Sequence, residues 1–262
     1  MTARSEIEYL EVPGCHRLAF RYSPGGQPSV VFLGGFLSDM EGSKATALEA
    51  FCRDRGQAYL RLDYSGHGRS GGRFEDGTIS SWRDDALAII DAVTEGAVVL
   101  IGSSMGGWLA LLVALSRPER VVGLIGLAAA PDFTEELMWC QFDPAQRRQL
   151  MSQGVVILPS NYGETYPITK ALIEDGRQNL LMEGPIELGI PVRLIQGGDD
   201  PDVPAEMPDR IAARLTSDDV QIRIIDGGDH SLSRDRDIEA IQSVLTALLE
   251  DLESKHRETG PR

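Results

Sequence analysis

Ala97–Ile101 reads Ala-Val-Val-Leu-Ile, Gly102–Gly107 reads Gly-Ser-Ser-Met-Gly-Gly, and Trp108–Leu115 is apolar on every side. No other stretch of the chain constrains its fold as much. A continuous β-branched run describes a strand buried on both faces, the mark of a parallel sheet covered by helices. A helix that is apolar all round belongs in the interior. The glycines between the two leave only a tight turn. A strand, turn and helix of this kind need further layers on either side, so the chain predicts an α/β fold.

The same rhythm recurs along the sequence. Short strands are expected at Ile7–Val12 and Arg17–Tyr22, with Pro13-Gly14 turning between them. Further strands are expected at Ser29–Leu33, Ala58–Leu62, Val121–Leu127, Val192–Gln196 and Val220–Ile225. Helical spacing of apolar residues marks Ser43–Arg53, Trp82–Val93, Met105–Ser116, Ala205–Leu215 and Arg236–Leu252. The polar end beyond Glu253 is expected to fray. Between residues 131 and 189 the pattern changes, with more acids, Gln, Met, Tyr and Trp. Helical pieces are expected there at Phe133–Cys140, Pro144–Gln153 and Ile168–Met182. The predicted organisation is one core, residues 1–130 and 190–262, interrupted by a small helical cap at 131–189.

At 262 residues the chain is long enough to bury roughly 70–75 % of its unfolded surface without help from metal or disulfide. Its net charge of −15 argues against nucleic acid and anionic membrane surfaces as partners. Three cysteines, Cys15, Cys52 and Cys140, lie far apart, so no disulfide framework or zinc site is expected. No apolar run reaches the length of a membrane span, and the acidic N-terminus lacks a signal core. A reducing, cytoplasmic setting is the expectation from these features.

Gly102-Ser103-Ser104-Met105-Gly106 matches G-x-S-x-G in the strand-to-helix context that pattern requires. The turn holds Ser104 in strained dihedrals and lifts its Oγ out of the sheet, so residues two before and two after must be small. A dinucleotide loop needs glycine at Ser104, and a Walker loop needs a following lysine, so neither fits. A serine nucleophile needs a base and an orienting carboxylate, in the chain order Ser, acid, His. Of the four histidines, His16 lies in the early hairpin, His67 precedes the serine and His256 lies in the tail. His230, in the loop after the last strand, is the expected base. The acid comes from Gln196–Pro204, where Asp199, Asp200 and Asp202 compete. Asp200 fits the spacing Asp-x-x-Val-Pro, with Asp199 second and Asp202 third. No metal site and no cofactor are expected. An oxyanion hole is expected from the N–H groups of Met105 and of Phe36, which follows Gly34-Gly35. Phe36, Trp108, Met138, Trp139, Phe142, Tyr162 and Tyr166 are candidates to line an acyl pocket, although packing alone explains each. Lys170 and Arg177 are candidates to meet an anionic group.

On these residues the chain resembles the α/β-hydrolase family, from about Ser29 to Leu249. Gly34–Ala47, Asp63–Ser70 and Gly102–Trp108 look like the branch that includes the mitochondrial palmitoyl-protein thioesterase. The resemblance implies a Ser, Asp and His triad on Ser104, Asp200 and His230, and a small-molecule ester or acyl-protein thioester as substrate. Gly34 replaces the histidine common in the wider family, and the N-terminus reads as lacking an import presequence. The alternatives are a peptidase or carbon–carbon bond hydrolase on the same fold, or a non-catalytic binding protein.

Overall fold

The central sheet is built from the apolar runs. A computed structural model describes residues 6–12, 16–159 and 165–259. In chain order the strands of the main sheet are β1 (Glu8–Leu10), β2 (Leu18–Ser23), β3 (Gly26–Leu33), β4 (Gln57–Leu62), β5 (Val98–Ser103) and β6 (Val121–Leu127), followed by β9 (Val192–Gly197) and β10 (Val220–Ile225). They lie in the order β1-β2-β4-β3-β5-β6-β9-β10. Only the β1–β2 and β2–β4 pairings are antiparallel. From β4 to β10 every neighbour is parallel.

Alternation along each strand assigns side chains to two layers. In β5, Val98 and Leu100 join the cluster containing Trp82 and Ile89 of α2 (Ile79–Val93) and Trp108 and Leu111 of α3 (Met105–Ser116). Val99 and Ile101 join the opposite cluster, with Leu48 of α1 (Ser43–Asp54) and Leu245 of α7 (Asp235–Thr259). Both faces are therefore dry. That explains why the central strands read as unbroken apolar runs.

Between β6 and β9 the chain leaves the sheet. It forms a π-turn at Thr134–Met138, α4 (Pro144–Gln153), a hairpin of β7 (Val155–Pro159) and β8 (Thr165–Thr169), then α5 (Lys170–Gly176). The helix expected over Ile168–Met182 is thus a strand followed by a two-turn helix. Thr169 ends the strand and caps the helix, accepting from Leu172 N at 3.1 Å. Ile168 pairs with Val156 across the hairpin, a long-range contact that periodicity does not register. The helix expected at Ala205–Leu215 is shorter, α6 (Met207–Ala212). The end expected to fray is helical through Thr259, supported by a Glu253–Arg257 pair one turn apart at 3.7 Å. The expected turn at Pro13-Gly14, Cys15 and Tyr162 lie outside the described residues. Cys52, its thiol pushed up to about 12 by burial, and Cys140 are free thiols.

Candidate active site

Ser104 sits in the single-residue turn between β5 and α3, with φ 55° and ψ −118°. A non-glycine residue there carries backbone strain on the order of 1–3 kcal/mol, held by its surroundings. Ser104 N donates to Leu127 O at 2.9 Å, and Ser104 O accepts from Gly107 N at 2.8 Å and Ala130 N at 3.1 Å. The flanking glycines are dictated by space. A Cβ on Gly102 would overlap the carbonyl of Gly106, and one on Gly106 the carbonyls of Leu33 and Gly34.

His230 reaches the serine from the loop after β10. Its Nε2 lies 3.0 Å from Ser104 Oγ and its Nδ1 2.9 Å from Asp200 Oδ2. Asp200 stands in the loop after β9, and the parallel β9–β10 pairing sets the two loops side by side. Asp199 N bonds Gly228 O at 2.8 Å, and Gly198 N bonds Ile225 O at 2.9 Å. Of the competing aspartates, it is Asp200 that meets the histidine. Its Oδ1 accepts from Asp202 N at 2.8 Å and Val203 N at 2.9 Å, and its Oδ2 also accepts from Gln196 Nε2 at 2.7 Å. Burial alone would push this carboxyl up. The hydrogen bond and charge of His230, with the two backbone N–H groups, outweigh burial and hold it below the usual 3.8. An ionised carboxylate only accepts, so Nδ1 carries the imidazole proton and Nε2 faces the serine hydroxyl as an acceptor.

The Gly34-Gly35-Phe36 loop runs beside the serine. A Cβ on Gly35 would lie 3.4 Å from Ser104 Cβ. Leu37, next in the chain, has φ 59°, which turns the backbone sharply at this point. Met105 begins α3 directly after Ser104. The ring of Phe36 meets Phe74 at 5.0 Å, Phe133 at 5.7 Å and Trp82 and Tyr166 at 5.9 Å. Tyr166 belongs to β8, so the inserted segment packs directly on this loop.

The other sequence candidates are dispersed. Trp108 is fully buried and donates to Asn179 O at 3.1 Å, and Phe142 is also core. Trp139 lies under the guanidinium groups of Arg147 and Arg177. Lys170 pairs with Glu174, and Arg177 with Glu135. His67 is buried among Tyr64, Phe74 and Trp82, and burial drops its pKa to about 4. Asp200, Asp202 and His230 place ligand-type atoms within 4.8 Å of one another. The Asp200 oxygens and His230 Nδ1 are already committed to each other and to N–H donors, which suits a carboxylate–imidazole pair. Sequence reasoning missed Gln196. Its signal was a lone amide inside the apolar strand Val-Arg-Leu-Ile-Gln.

Residues 30–241 match the alpha/beta hydrolase family. The mitochondrial palmitoyl-protein thioesterase ABHD10 of Bos taurus is 36 % identical over 251 residues, covering 95 % of this chain and 82 % of that protein. A putative hydrolase from Agrobacterium vitis S4 superposes with a TM-score of 0.89 at 37 % identity, covering 94 % of this chain and 99 % of the other. The mouse alpha/beta hydrolase domain-containing protein 10 gives 0.88 at 35 %, covering 95 % and 100 %. The mitochondrial relatives from Bos taurus, Homo sapiens and Mus musculus overturn the cytoplasmic expectation. That expectation rested on unpaired cysteines, on the lack of a membrane-length apolar run and on an acidic N-terminus without a signal core; thiols stay reduced in more than one compartment. Among the described residues no helix is long and apolar enough to cross a membrane.

Proposed function

The chain belongs to the α/β hydrolase family, and on that premise we propose that it is a serine hydrolase of carboxylic esters or thioesters. The observation that carries this reading is the hydrogen-bonded line from Ser104 Oγ through His230 to Asp200. Ser104 attacks the acyl carbonyl as His230 Nε2 takes its proton. Asp200 holds the imidazole tautomer and stabilises the imidazolium. The N–H groups of Phe36 and Met105 bind the oxyanion. The protonated His230 returns the proton to the departing alkoxide or thiolate, leaving an acyl-enzyme on Ser104. Water, deprotonated by His230, then releases the acid.

Residues 131–189 act as a cap in this reading. Phe133 and Tyr166 from that segment pack on Phe36, so it bounds the space beside the oxyanion loop. The relatives named palmitoyl-protein thioesterases make an acyl thioester the first substrate to try. The test is a panel of matched esters and thioesters from acetyl to palmitoyl, with fluorophosphonate labelling. Ser104→Ala is expected to lose both the label and several orders of magnitude in kcat. Full activity in that variant overturns the proposal.

A further inference from the structure

We propose that Lys44 is a positioning residue for the reaction, holding the His230 loop in register with Ser104 by binding the carbonyl of Ser231. The inference rests on the serine hydrolase reading above. It starts from a residue that breaks a local rule. Lys44 is the second residue of α1, where the helix dipole disfavours a cation, and the first turn carries no acid. Nothing local to the helix rewards lysine at this position. Its Nζ instead reaches the loop before α7, which packs beside α1, and donates to Ser231 O, the residue after His230.

Both ends of this link are built for it. The base of α1 is clamped by the end of β4. Met40 N donates to Asp63 Oδ1 at 2.6 Å, and Met40 O accepts from the buried Arg61. Met40 lies midway between Phe36 and Lys44, so one short segment carries the oxyanion loop at one end and the histidine tether at the other. The far end is a strained turn. Leu232 is left-handed at φ 46°. Asp229 Oδ1 gathers Ser231 Oγ at 2.8 Å and Leu232 N at 3.0 Å. The Ser231 carbonyl accepts from Lys44 Nζ and, within the turn, from Ser233 Oγ at 2.9 Å, so Lys44 is the donor that ties the turn to α1. Without Lys44 the turn keeps its internal bonds but loses its tie to α1, and it can shift as a unit and carry His230 off its aim at Ser104.

The charges around Lys44 come from the loop and from α7. Asp229 and Asp237 attract the ammonium, and Asp237 is shared with Arg234 at 2.7 Å and Arg236 at 4.0 Å. Glu41, nearby in sequence, is engaged by Arg21 and Arg61. Burial outweighs the two aspartates and lowers the amine from 10.5 to about 8. The folded protein therefore gives up this proton before the unfolded chain does. The cost to stability is in full force below about pH 8 and fades as pH rises towards 10.5.

The experiment compares wild type, Lys44→Met and Lys44→Arg from about pH 6 to about pH 10 on a p-nitrophenyl ester. Fluorophosphonate labelling and thermal unfolding at neutral pH accompany the rates. Lys44→Met is expected to lose roughly tenfold or more in kcat, since small misplacements of catalytic groups are costly. Its KM should stay near the wild-type value and its Tm should not fall. Above about pH 8 the neutral amine is a weaker donor and loses the pull of Asp229 and Asp237. Wild type should therefore lose activity there, whereas Lys44→Arg, still charged, should keep the rate and lack that limb. Wild-type kcat in Lys44→Met, or an unchanged alkaline limb in Lys44→Arg, overturns the assignment while normal labelling leaves the hydrolase reading intact. If Lys44→Met does not fold, the Lys44→Arg profile decides alone. A wild-type protein that takes no label overturns the hydrolase reading and this inference with it.

Discussion

Replacing Asp200 with asparagine changes one atom and should nearly abolish turnover without unfolding the chain. Every partner of the Asp200 carboxylate described above is a donor: Asp202 N and Val203 N on Oδ1, Gln196 Nε2 and His230 Nδ1 on Oδ2. An amide must turn its NH2 towards one of these pairs. Facing the backbone, it strands two N–H groups, each costing about 1–3 kcal/mol. Facing the side chains, it costs less. Gln196 can turn its amide over and present Oε1, a buried oxygen with no hydrogen-bond partner among the described residues, giving up only its long 3.3 Å bond to Val203 O. His230 can move its proton to Nε2. The second arrangement wins, and it puts N–H where the serine needs a base. The expected loss is about 10⁴-fold in kcat, about 5 kcal/mol of transition-state stabilisation. Stability should fall by only about 1–3 kcal/mol, a few degrees in Tm. Steady-state rates on an activated ester and a thermal melt measure both. Asp200 is held below 3.8 in the fold, so its contribution is fully present above 3.8 and is lost as pH falls from there through the lower folded value. The Tm gap between wild type and Asp200→Asn should therefore close on acidification below 3.8. The reasoning fails if kcat stays within about tenfold of wild type, or if Asp199→Asn is the more damaging change.

Two further changes probe what holds the site in place. Gly106→Ala drives a methyl into the Leu33 and Gly34 carbonyls, so it should yield a destabilised protein with little labelling of Ser104. A wild-type melt with full labelling would show that the turn has room after all. Arg61 is fully buried, paired with Glu49 at 2.8 Å and bonded to Met40 O. Arg61→Met strips Glu49 of its buried cation and should cost about 3–5 kcal/mol, whereas the double variant with Glu49→Met should recover most of it. A single variant melting within about 2 °C of wild type would contradict this account.

The local signals in the sequence were strong where the physics is local. The turn around Ser104 was legible because the β-branched run of β5, the glycines and the apolar helix α3 each obey short-range sterics. Helices α1 and α2 and the parallel strands were legible for the same reason. The β7–β8 hairpin was not, because Val156 and Ile168 acquire their meaning only by pairing with each other. Helical spacing over 168–182 competed on equal terms until Thr169 ended the strand.

What the sequence determined by itself was the chemical inventory and its order: a serine in a constrained turn, an aspartate cluster, and a histidine two loops later. The tertiary structure decided distances. Parallel register between β9 and β10 puts Asp200 2.9 Å from His230. A neighbouring polar strand residue, Gln196, becomes part of the carboxylate's cradle, and Lys44, nearly two hundred residues from Ser231 in sequence, reaches its carbonyl. Spacing along a chain states which groups exist, whereas hydrogen bonds fall off within an ångström. Only the folded sheet brings groups that far apart in sequence within that range.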